Sequence, residues 1–459
     1  MQDLTSGSVT RHLLKTTSFM LVTMVFQTLY FLVDLYWVGR LGTDSVAAVG
    51  IAGNLTFLVL ALTQMLGVGT TTLVSHAVGR RNHDDANMMF NQSQVLSTMV
   101  GVVFLVVAMA ARIPFTNAQS ADAETARQAA SYLLWFIPAM ALQFLLVAMG
   151  AALRGVGNFK PTMIVSSATV VLNMILAPFL IFGWGTGRAF GVAGAAISSL
   201  IAIVVGVIWM SRYFRGDSFL HFIAADWKPK VDVWKRMIAI GLPSGVEFIL
   251  MAIYIALVYS VARPFGAAAQ AGFGIGGRVI QALFMPAVAL GFSVAPVAGQ
   301  NFGARQRERV LETFKHAVLI ATVMMTIFTI VCHLFPRQMV DVFSNDPAAI
   351  DVGAEYLIII SYNFIASGLI FVNSSMFQAM GNTIPSLITS SVRILLVAIP
   401  VVILARLPGF TLTWVWYLSV LSVFVQLGIS LLLLRREFSR RLVFPAPEPA
   451  PATIPASAA

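Results

Sequence analysis

Long apolar segments alternate with short polar segments along almost the whole chain. Segments that contain no Asp, Glu, Lys or Arg include residues 45–79, 86–111, 128–153, 161–187, 189–211, 279–304, 316–336 and 407–434. A helix needs about 20 apolar residues to cross the hydrocarbon core of a bilayer. The pattern predicts twelve transmembrane helices, at residues 13–38, 45–77, 88–111, 128–153, 160–184, 190–212, 237–262, 268–302, 310–335, 352–378, 385–406 and 410–434.

The composition indicates the same class of protein. Hydrophobic residues make up 58% of the chain and charged residues 10%, whereas soluble domains carry about 25% charged residues. We therefore expect an all-α integral membrane protein. The single cysteine, Cys332, excludes an intrachain disulfide and a metal site built on thiols. The sequence contains no phosphate loop, zinc spacing or nucleophile motif, so we expect no enzyme activity, no cofactor and no firm metal site.

Lys and Arg are distributed unevenly between the two predicted membrane faces. Twenty of them lie in segments on the side of the N-terminus, and seven lie on the opposite side. Cytoplasmic loops carry the excess of Lys and Arg, so we expect both termini to be cytoplasmic, in the plasma (inner) membrane of a bacterium. This topology also explains the net charge of +10, which therefore does not indicate a nucleic-acid partner.

The two halves of the chain repeat with a constant offset of 224 residues. Pairs at this offset are Gly42 and Gly266, Ala47 and Ala271, Gly50 and Gly274, Gly53 and Gly277, Gly67 and Gly291, Gly157 and Gly381, Asn158 and Asn382, and Pro161 and Pro385. Each half contains six predicted helices, so both halves enter the membrane from the same face and the repeat is parallel. Two six-helix lobes related by such a pseudo-twofold axis enclose a cleft, which is typical of alternating-access transporters.

The longest polar connection, at residues 213–236, separates the two halves. We predict an N-terminal lobe at residues 1–212, a cytoplasmic linker at 213–236 and a C-terminal lobe at 237–435. The segment at 436–459, which is rich in Pro and Ala from Val443 onward, is predicted to be a disordered cytoplasmic tail.

Asp34 is the only charged residue between Lys15 and Arg40, within the first predicted helix. Helical spacing places Gln27, Tyr30 and Trp37 on the same stripe. A carboxylate inside a membrane-length helix is costly and generally marks a pathway for ions or substrate. The structural alternative is an acid that reaches the membrane interface, since Gly39 and Gly42 follow closely.

Glu247 is a second intramembrane acid, with Tyr254 two turns later on the same helix face. Its alternative role is structural, through hydrogen bonds to the next helix. Arg278 and Arg393 are intramembrane cations that we expect to be buried and paired with Glu247 or with carbonyl groups. His76, whose repeat partner is Gln300, is predicted to form hydrogen bonds near the cytoplasmic end of the second helix.

Several motifs, in order and spacing, resemble those of the multidrug and toxic compound extrusion (MATE) transporters over nearly the whole chain. They are Gln27-Thr28-Leu29-Tyr30, Val33-Asp34, Gly39-Arg40-Leu41-Gly42, Leu73-Val74-Ser75-His76-Ala77-Val78-Gly79, Leu153-Arg154-Gly155-Val156-Gly157-Asn158, Leu172-Asn173, Gly241-Leu242-Pro243 and Val297-Ala298-Gly299-Gln300-Asn301-Phe302-Gly303-Ala304. The resemblance implies secondary export of organic cations or amphiphiles, driven by the entry of protons or sodium.

The resemblance also implies roles for individual residues. Asp34 matches the cation-coupling acid of the family's first helix, and Asn173 matches an asparagine near that acid. Ala177 replaces a second acid that family members often carry one turn later, which favours protons over sodium as the coupling ion. Glu247 matches a functional acid approximately, because that acid lies one turn later, at Met251 here.

We therefore expect a multidrug efflux antiporter, a monomer in the lipid bilayer, that exports small cationic or amphiphilic molecules. Asp34, Asn173 and Glu247 are the candidates for cation coupling. Gln27, Tyr30, Trp37, Tyr254 and Arg278 are the candidates for the substrate cleft. The alternative within the same superfamily is a flippase for lipid-linked precursors, which would require a strongly cationic cleft.

Overall fold

A computed structural model describes residues 3–184, 187–217 and 219–444. Within these ranges the regular secondary structure is helical. The helices are α1 (Val9–Gly39), α2 (Thr43–Gly79), α3 (His83–Gln119), α4 (Ala123–Gly155), α5 (Lys160–Phe182), α6 (Val192–Gly216), α7 (Val231–Ala262), α8 (Ala267–Gly303), α9 (Arg307–Leu334), α10 (Pro336–Asp341), α11 (Pro347–Ser361), α12 (Phe364–Ala379), α13 (Ile384–Leu404) and α14 (Leu412–Arg441).

Local sequence signals explain where several helices begin and end. The side chain of Asn82 accepts a hydrogen bond from the backbone N–H of Asp85 at the start of α3, and Asp122 does the same for Thr125 at the start of α4. Gly157 and Gly381, which are 224 residues apart, follow α4 and α12 with φ angles of 82° and 71°. Such angles favour glycine, so the repeat extends to the turns that end equivalent helices.

The spans confirm the predicted all-α membrane fold with twelve transmembrane segments. Eleven helices of the described ranges are long and apolar enough to cross a bilayer, and α11 and α12 together form the twelfth span with a bend of 58°. The span predicted at 352–378 is therefore present, and it is divided into two helices by a break that the sequence pattern did not indicate. The hydroxyl of Thr329 on α9 donates to the Ser361 carbonyl at this bend, so a neighbouring helix satisfies a backbone group that the break exposes. Neither glycine nor proline lies at the break.

The outer surface of the bundle is apolar, as a lipid-facing surface must be. Exposed side chains on α9 recur every three or four residues at Leu319, Val323, Ile327 and Ile330, with exposed fractions of 52–61%. This spacing places them on one face of the helix. A stripe of this kind is stable in contact with lipid chains and not with water.

The helices form two lobes, α1–α6 and α7–α14, related by the 224-residue repeat. One buried apolar core lies mainly in the first lobe and also contains Val233 and Met237 of α7, and two further cores lie mainly in the second lobe. The beginning of α1 and the residues before it are an exception, because Leu4, Val9 and Leu13 are fully buried in a core that also contains Leu290 of α8 and Val310 of α9. The chain therefore crosses from one lobe to the other at the face where α1 begins and α14 ends, which we call the N-terminal face.

Two predicted boundaries need correction. Helix α6 continues to Gly216 and α7 begins at Val231, so the connection is shorter than residues 213–236. It is held against α3, where Asn87, Asn91 and Gln92 form hydrogen bonds with its backbone. Helix α14 continues to Arg441, so residues 436–441 are not a disordered tail.

The end of α14 is helical because it packs on the bundle. Glu437 is only 9% exposed, Arg441 pairs with it, and Arg441 also donates to the carbonyl of Met380. The remainder of the predicted tail from residue 445 lies outside the described residues.

Candidate functional site

Glycines bring the two lobes into direct backbone contact near the N-terminal face. A Cβ atom added at Gly69 of α2 would collide with the carbonyl of Met237 on α7, and one added at Gly241 of α7 would collide with the carbonyl of Met65. A Cβ added at Gly245 would lie 2.7 Å from the carbonyl oxygen of Ala61. We call this contact of α2 residues 61–79 with α7 residues 237–245 and α8 residues 299–303 the gate.

The gate continues from α7 to α8 through a pair of glycines related by the repeat. Added Cβ atoms at Gly79 of α2 and Gly303 of α8 would collide with the backbone carbonyls of Gln300 and His76, respectively. The two helices therefore touch through reciprocal positions, as a contact across a pseudo-twofold axis requires.

Two hydrogen bonds cross the gate and are related by the same repeat. His76 Nε2 lies 2.6 Å from the carbonyl oxygen of Ala379, and Gln300 Nε2 donates to the carbonyl of Gly155 at 2.9 Å. A carbonyl only accepts, so the histidine must carry its proton on Nε2. The two donors, His76 and Gln300, are 224 residues apart, and so are the two acceptors, Gly155 and Ala379. The hydrogen-bonding role predicted for His76 is confirmed.

The same helices are surrounded by open space farther from the gate. A Cβ atom added at Gly53 of α2 or at Gly277 of α8 would have no neighbouring atom within 4 Å. These positions are also related by the repeat, and they lie in the halves of α2 and α8 nearer the opposite face. The two lobes are therefore in backbone contact at the N-terminal face, whereas these two equivalent glycines, farther along α2 and α8, touch no part of the other lobe.

A polar cluster surrounds Asp34 inside the first lobe. Asp34 of α1 is 7% exposed, and Tyr30, one turn earlier, shares a 2.8 Å hydrogen bond with Ser199 of α6. The amide of Asn173 on α5 donates to Ser198 and Ser199 at 3.1 and 3.2 Å. Ser199 of α6 thus connects Tyr30 of α1 with Asn173 of α5, one helical turn from Asp34.

The carboxylate of Asp34 is not compensated by a cation. Its Oδ1 atom is buried and has no hydrogen-bond partner, and the ion pairs found in the described ranges do not include it. Burying a bare carboxylate is costly, and either a proton or a bound cation removes that cost. No cluster of three or more His, Cys, Asp or Glu that could hold a metal ion occurs among the described residues, so a sodium ion here would depend on hydroxyl and amide oxygens.

The remaining residues of the predicted stripe lie outside this cluster. Trp37 packs against Phe182 and Trp184, with ring centroids 6.0 and 5.8 Å away. Gln27 is exposed. Ser198 and Ser199 were not predicted, although they are adjacent hydroxyl residues within the sixth predicted helix and could have been found as polar residues in an apolar span.

Glu247 occupies a separate polar site in the second lobe. Its Oε1 atom is buried without a hydrogen-bond partner, and the hydroxyls of Ser386 and Ser390 on α13 face the carboxyl group. Tyr254 shares a 2.9 Å hydrogen bond with Ser419 of α14, which parallels the Tyr30–Ser199 bond of the first lobe. The second lobe therefore repeats the tyrosine–serine contact but has Val258 where the first lobe has Asp34.

The two intramembrane arginines do not neutralise Glu247. Arg278 is exposed on α8, and the guanidinium of Arg393 lies 5.3 Å from the ring centroid of Tyr254. The described part of the chain has no ion pair between Glu247 and either arginine. The prediction that Arg278 is buried and paired with Glu247 or with carbonyl groups is therefore wrong as to its burial, and Glu247 has no cation beside its carboxyl group among the described residues.

Comparisons with known proteins agree with this architecture. The MatE family model matches residues 20–179 and 243–404, one segment in each lobe. The probable multidrug resistance protein YoeA of Bacillus subtilis (strain 168) is 24% identical over 424 residues, which are 90% of each chain. The FAD transporter of Shewanella oneidensis is 22% identical over 371 residues, 80% of this chain and 82% of that one.

A solved structure supports the fold. It is described as the outward-facing conformation of a multidrug resistance MATE family transporter of the MOP superfamily, and it is 25% identical in sequence. It superposes with a TM-score of 0.88 and covers 95% of this chain and 98% of the other.

Proposed function

The chain belongs to the MatE family, and from this premise we propose that it is a secondary active antiporter that exports small cationic or amphiphilic molecules from a bacterial cell. The observation that carries the proposal is the buried, uncompensated carboxyl group of Asp34 in a lobe that faces an interlobe cleft. Relatives named as multidrug resistance and export proteins support the substrate class. The protein works as a monomer in the inner membrane.

The transport cycle is alternating access between the two lobes. The N-terminal face is cytoplasmic, because it carries twenty Lys and Arg residues against seven on the other face. The present arrangement is then the outward-open state, with the gate closed toward the cytoplasm. In the inward-open state the lobes separate at the gate, so the His76–Ala379 and Gln300–Gly155 hydrogen bonds break.

The coupling ion is a proton carried by Asp34. In the outward-open state the carboxyl group takes up a proton from outside, which relieves the cost of burying its charge. The proton leaves to the cytoplasm after the lobes change orientation. A ligand shifts a conformational equilibrium only if it binds the two states differently. The burial of Asp34 therefore has to differ between the states, and Tyr30 and Ser199 are the hydrogen-bonded neighbours that would change with it.

The experiment uses purified protein in liposomes loaded with a fluorescent cation such as ethidium. Export is measured under an imposed proton gradient without sodium, and separately under an imposed sodium gradient at equal pH on both sides. Efflux that follows the proton gradient alone supports the proposal. A strict requirement for sodium would contradict proton coupling and would indicate that a sodium ion binds at Asp34 instead. If no tested cation is exported under either gradient, the proposed export of cationic molecules is contradicted.

A further inference from the structure

A short segment before α1, residues 3–8, lies on the second lobe although it precedes the first helix of the first lobe. We call this segment the strap. Leu4 is fully buried in the second-lobe core that α8 and α9 help to form. The side-chain amide of Asn301 donates to the Leu4 carbonyl at 3.2 Å, and the guanidinium group of Arg309 donates to the Gly7 carbonyl at 3.0 Å. The apolar contact and both hydrogen bonds are with the second lobe, so we expect the strap to move with that lobe.

The strap also holds one of the two side chains whose hydrogen bonds cross the gate. The backbone N–H of Leu4 donates to Oε1 of Gln300 at 3.1 Å, and Nε2 of the same side chain donates to the carbonyl of Gly155 in the first lobe at 2.9 Å. A donor on one side and an acceptor on the other permit only one orientation of the amide group. The strap therefore fixes Gln300 with its N–H group directed at the first lobe.

The other gate bond, which His76 forms, is not held in this way. Lys228, in the segment before α7, is the repeat partner of Leu4. Its carbonyl accepts a hydrogen bond from Gln92 of α3 at 2.7 Å, and no hydrogen bond joins this segment to His76 among the described residues. The two gate bonds are equivalent in the repeat, but a segment outside the gate orients the donor of one of them.

We propose that the strap is a positioning device that stabilises the closed gate by orienting Gln300 for its bond across the lobes. A free glutamine side chain would lose conformational entropy each time the gate closes. The strap removes that cost, because it makes its contacts to Gln300 within one lobe and can keep them when the lobes separate. The inference goes beyond the proposed export function, and it depends on neither the coupling ion nor the substrate.

The test is a double-mutant cycle, which separates an effect through Gln300 from a general loss of stability. Pulsed electron–electron resonance measures the distances between spin labels on cysteines that replace Lys160 and Arg307, which are exposed and lie in different lobes. Deletion of residues 3–7 removes the strap and leaves Ser8, whose side chain caps α1. The deletion should raise the ratio of open to closed gate by about 2- to 12-fold, the range that one hydrogen bond contributes to an equilibrium.

The background in which the strap is deleted decides the mechanism. In Gln300→Leu the deletion should change the ratio by less than about twofold, because the side chain through which the strap acts is gone. In His76→Leu the deletion should keep its full effect, because that gate bond does not involve the strap. A role in stability alone would give the same shift in both backgrounds.

Full-length variants complete the test. Leu4→Ala deletes the apolar anchor and should give a smaller shift in the same direction, whereas Leu4→Met conserves its volume and should resemble the parent protein. Asp3→Asn controls for the attraction between Asp3 and Arg81 of the first lobe, which both lie at the surface and should contribute less than about twofold.

Three results would overturn the proposal. They are parent-like distances in both the deletion and Leu4→Ala, an undiminished shift in the Gln300→Leu background, and suppression of the shift by His76→Leu as strong as that by Gln300→Leu. The distances are measured in nanodiscs without substrate or ion gradient, so absence of export would leave this result unaffected.

Discussion

The gate predicts that single methyl groups will control which face of the protein is open. Gly79→Ala and Gly303→Ala would each place a Cβ atom against a backbone carbonyl of the other lobe, at Gln300 and His76 respectively. Backbone atoms on rigid helices cannot move aside as a flexible side chain can. The matched controls are Gly53→Ala and Gly277→Ala, which lie on the same two helices, are also related by the repeat, and have no neighbouring atom within 4 Å.

The size of the effect follows from the cost of overpacking, which is about 1–3 kcal/mol for an added methylene in a packed interior. Only the closed gate contains these contacts, so the whole cost falls on the state in which the gate is closed. Since about 1.4 kcal/mol corresponds to a tenfold change in an equilibrium constant, each substitution should shift the population by roughly 5- to 150-fold toward a gate that is open. The control alanines should leave this equilibrium unchanged, because alanine fits a helix interior at least as well as glycine.

The assay is pulsed electron–electron resonance between spin labels on the N-terminal face. Cysteines replace Lys160 in the first lobe and Arg307 in the second, which are both exposed. The native Cys332 is fully buried and should react slowly with the label. Gly79→Ala and Gly303→Ala should increase the population at long distances, and the controls should resemble the parent protein. Unchanged distance distributions in both gate variants would refute the assignment of this contact as the gate.

Three further outcomes follow from the same geometry. His76→Leu removes a hydrogen bond worth about 0.5–1.5 kcal/mol and should shift the same spin-label distances toward an open gate, whereas His76→Gln, which copies the repeat partner, should retain the parent distribution. Tyr30→Phe removes the bond to Ser199 and should reduce coupled efflux by several-fold without changing the amount of protein in the membrane, as judged by fluorescence size-exclusion chromatography. Glu247→Gln should impair efflux while leaving the amount of membrane-inserted protein unchanged, and efflux at the wild-type rate would limit Glu247 to a structural role.

The repeat could be recognised in the sequence because glycines that permit close contacts or left-handed turns occur at equivalent positions in both halves of the chain. Gly157 and Gly381 end equivalent helices, and the 224-residue offset later relates the two hydrogen bonds of the gate. The gate itself could not be predicted, because its acceptors are the backbone carbonyls of Gly155 and Ala379. Backbone groups carry no signal in the amino-acid sequence, and only the packing of the lobes decides which ones lie within reach.

The residues of the proposed coupling site could be found from the sequence in part. Asp34 is conspicuous as a lone acid in an apolar helix, and the MATE resemblance indicated Asn173. Ser198 and Ser199, which connect Asn173 to Tyr30, lie on α6, and the relative rotation of α5 and α6 is not encoded in any short pattern. The exposed position of Arg278 was missed for the same kind of reason, because one intramembrane arginine can face either a partner or the surface.

The central claim is that the carboxyl group of Asp34 couples proton entry to export. It is tested most directly by proton-driven efflux of ethidium from liposomes that contain the wild type, Asp34→Asn or Asp44→Asn, with equal amounts of correctly inserted protein. Asp44 is an exposed acid close to Asp34 in the chain, so its substitution controls for the loss of one negative charge. The account predicts that Asp34→Asn abolishes the response of efflux to the proton gradient while Asp44→Asn retains it. Undiminished proton-driven efflux by Asp34→Asn would contradict the account.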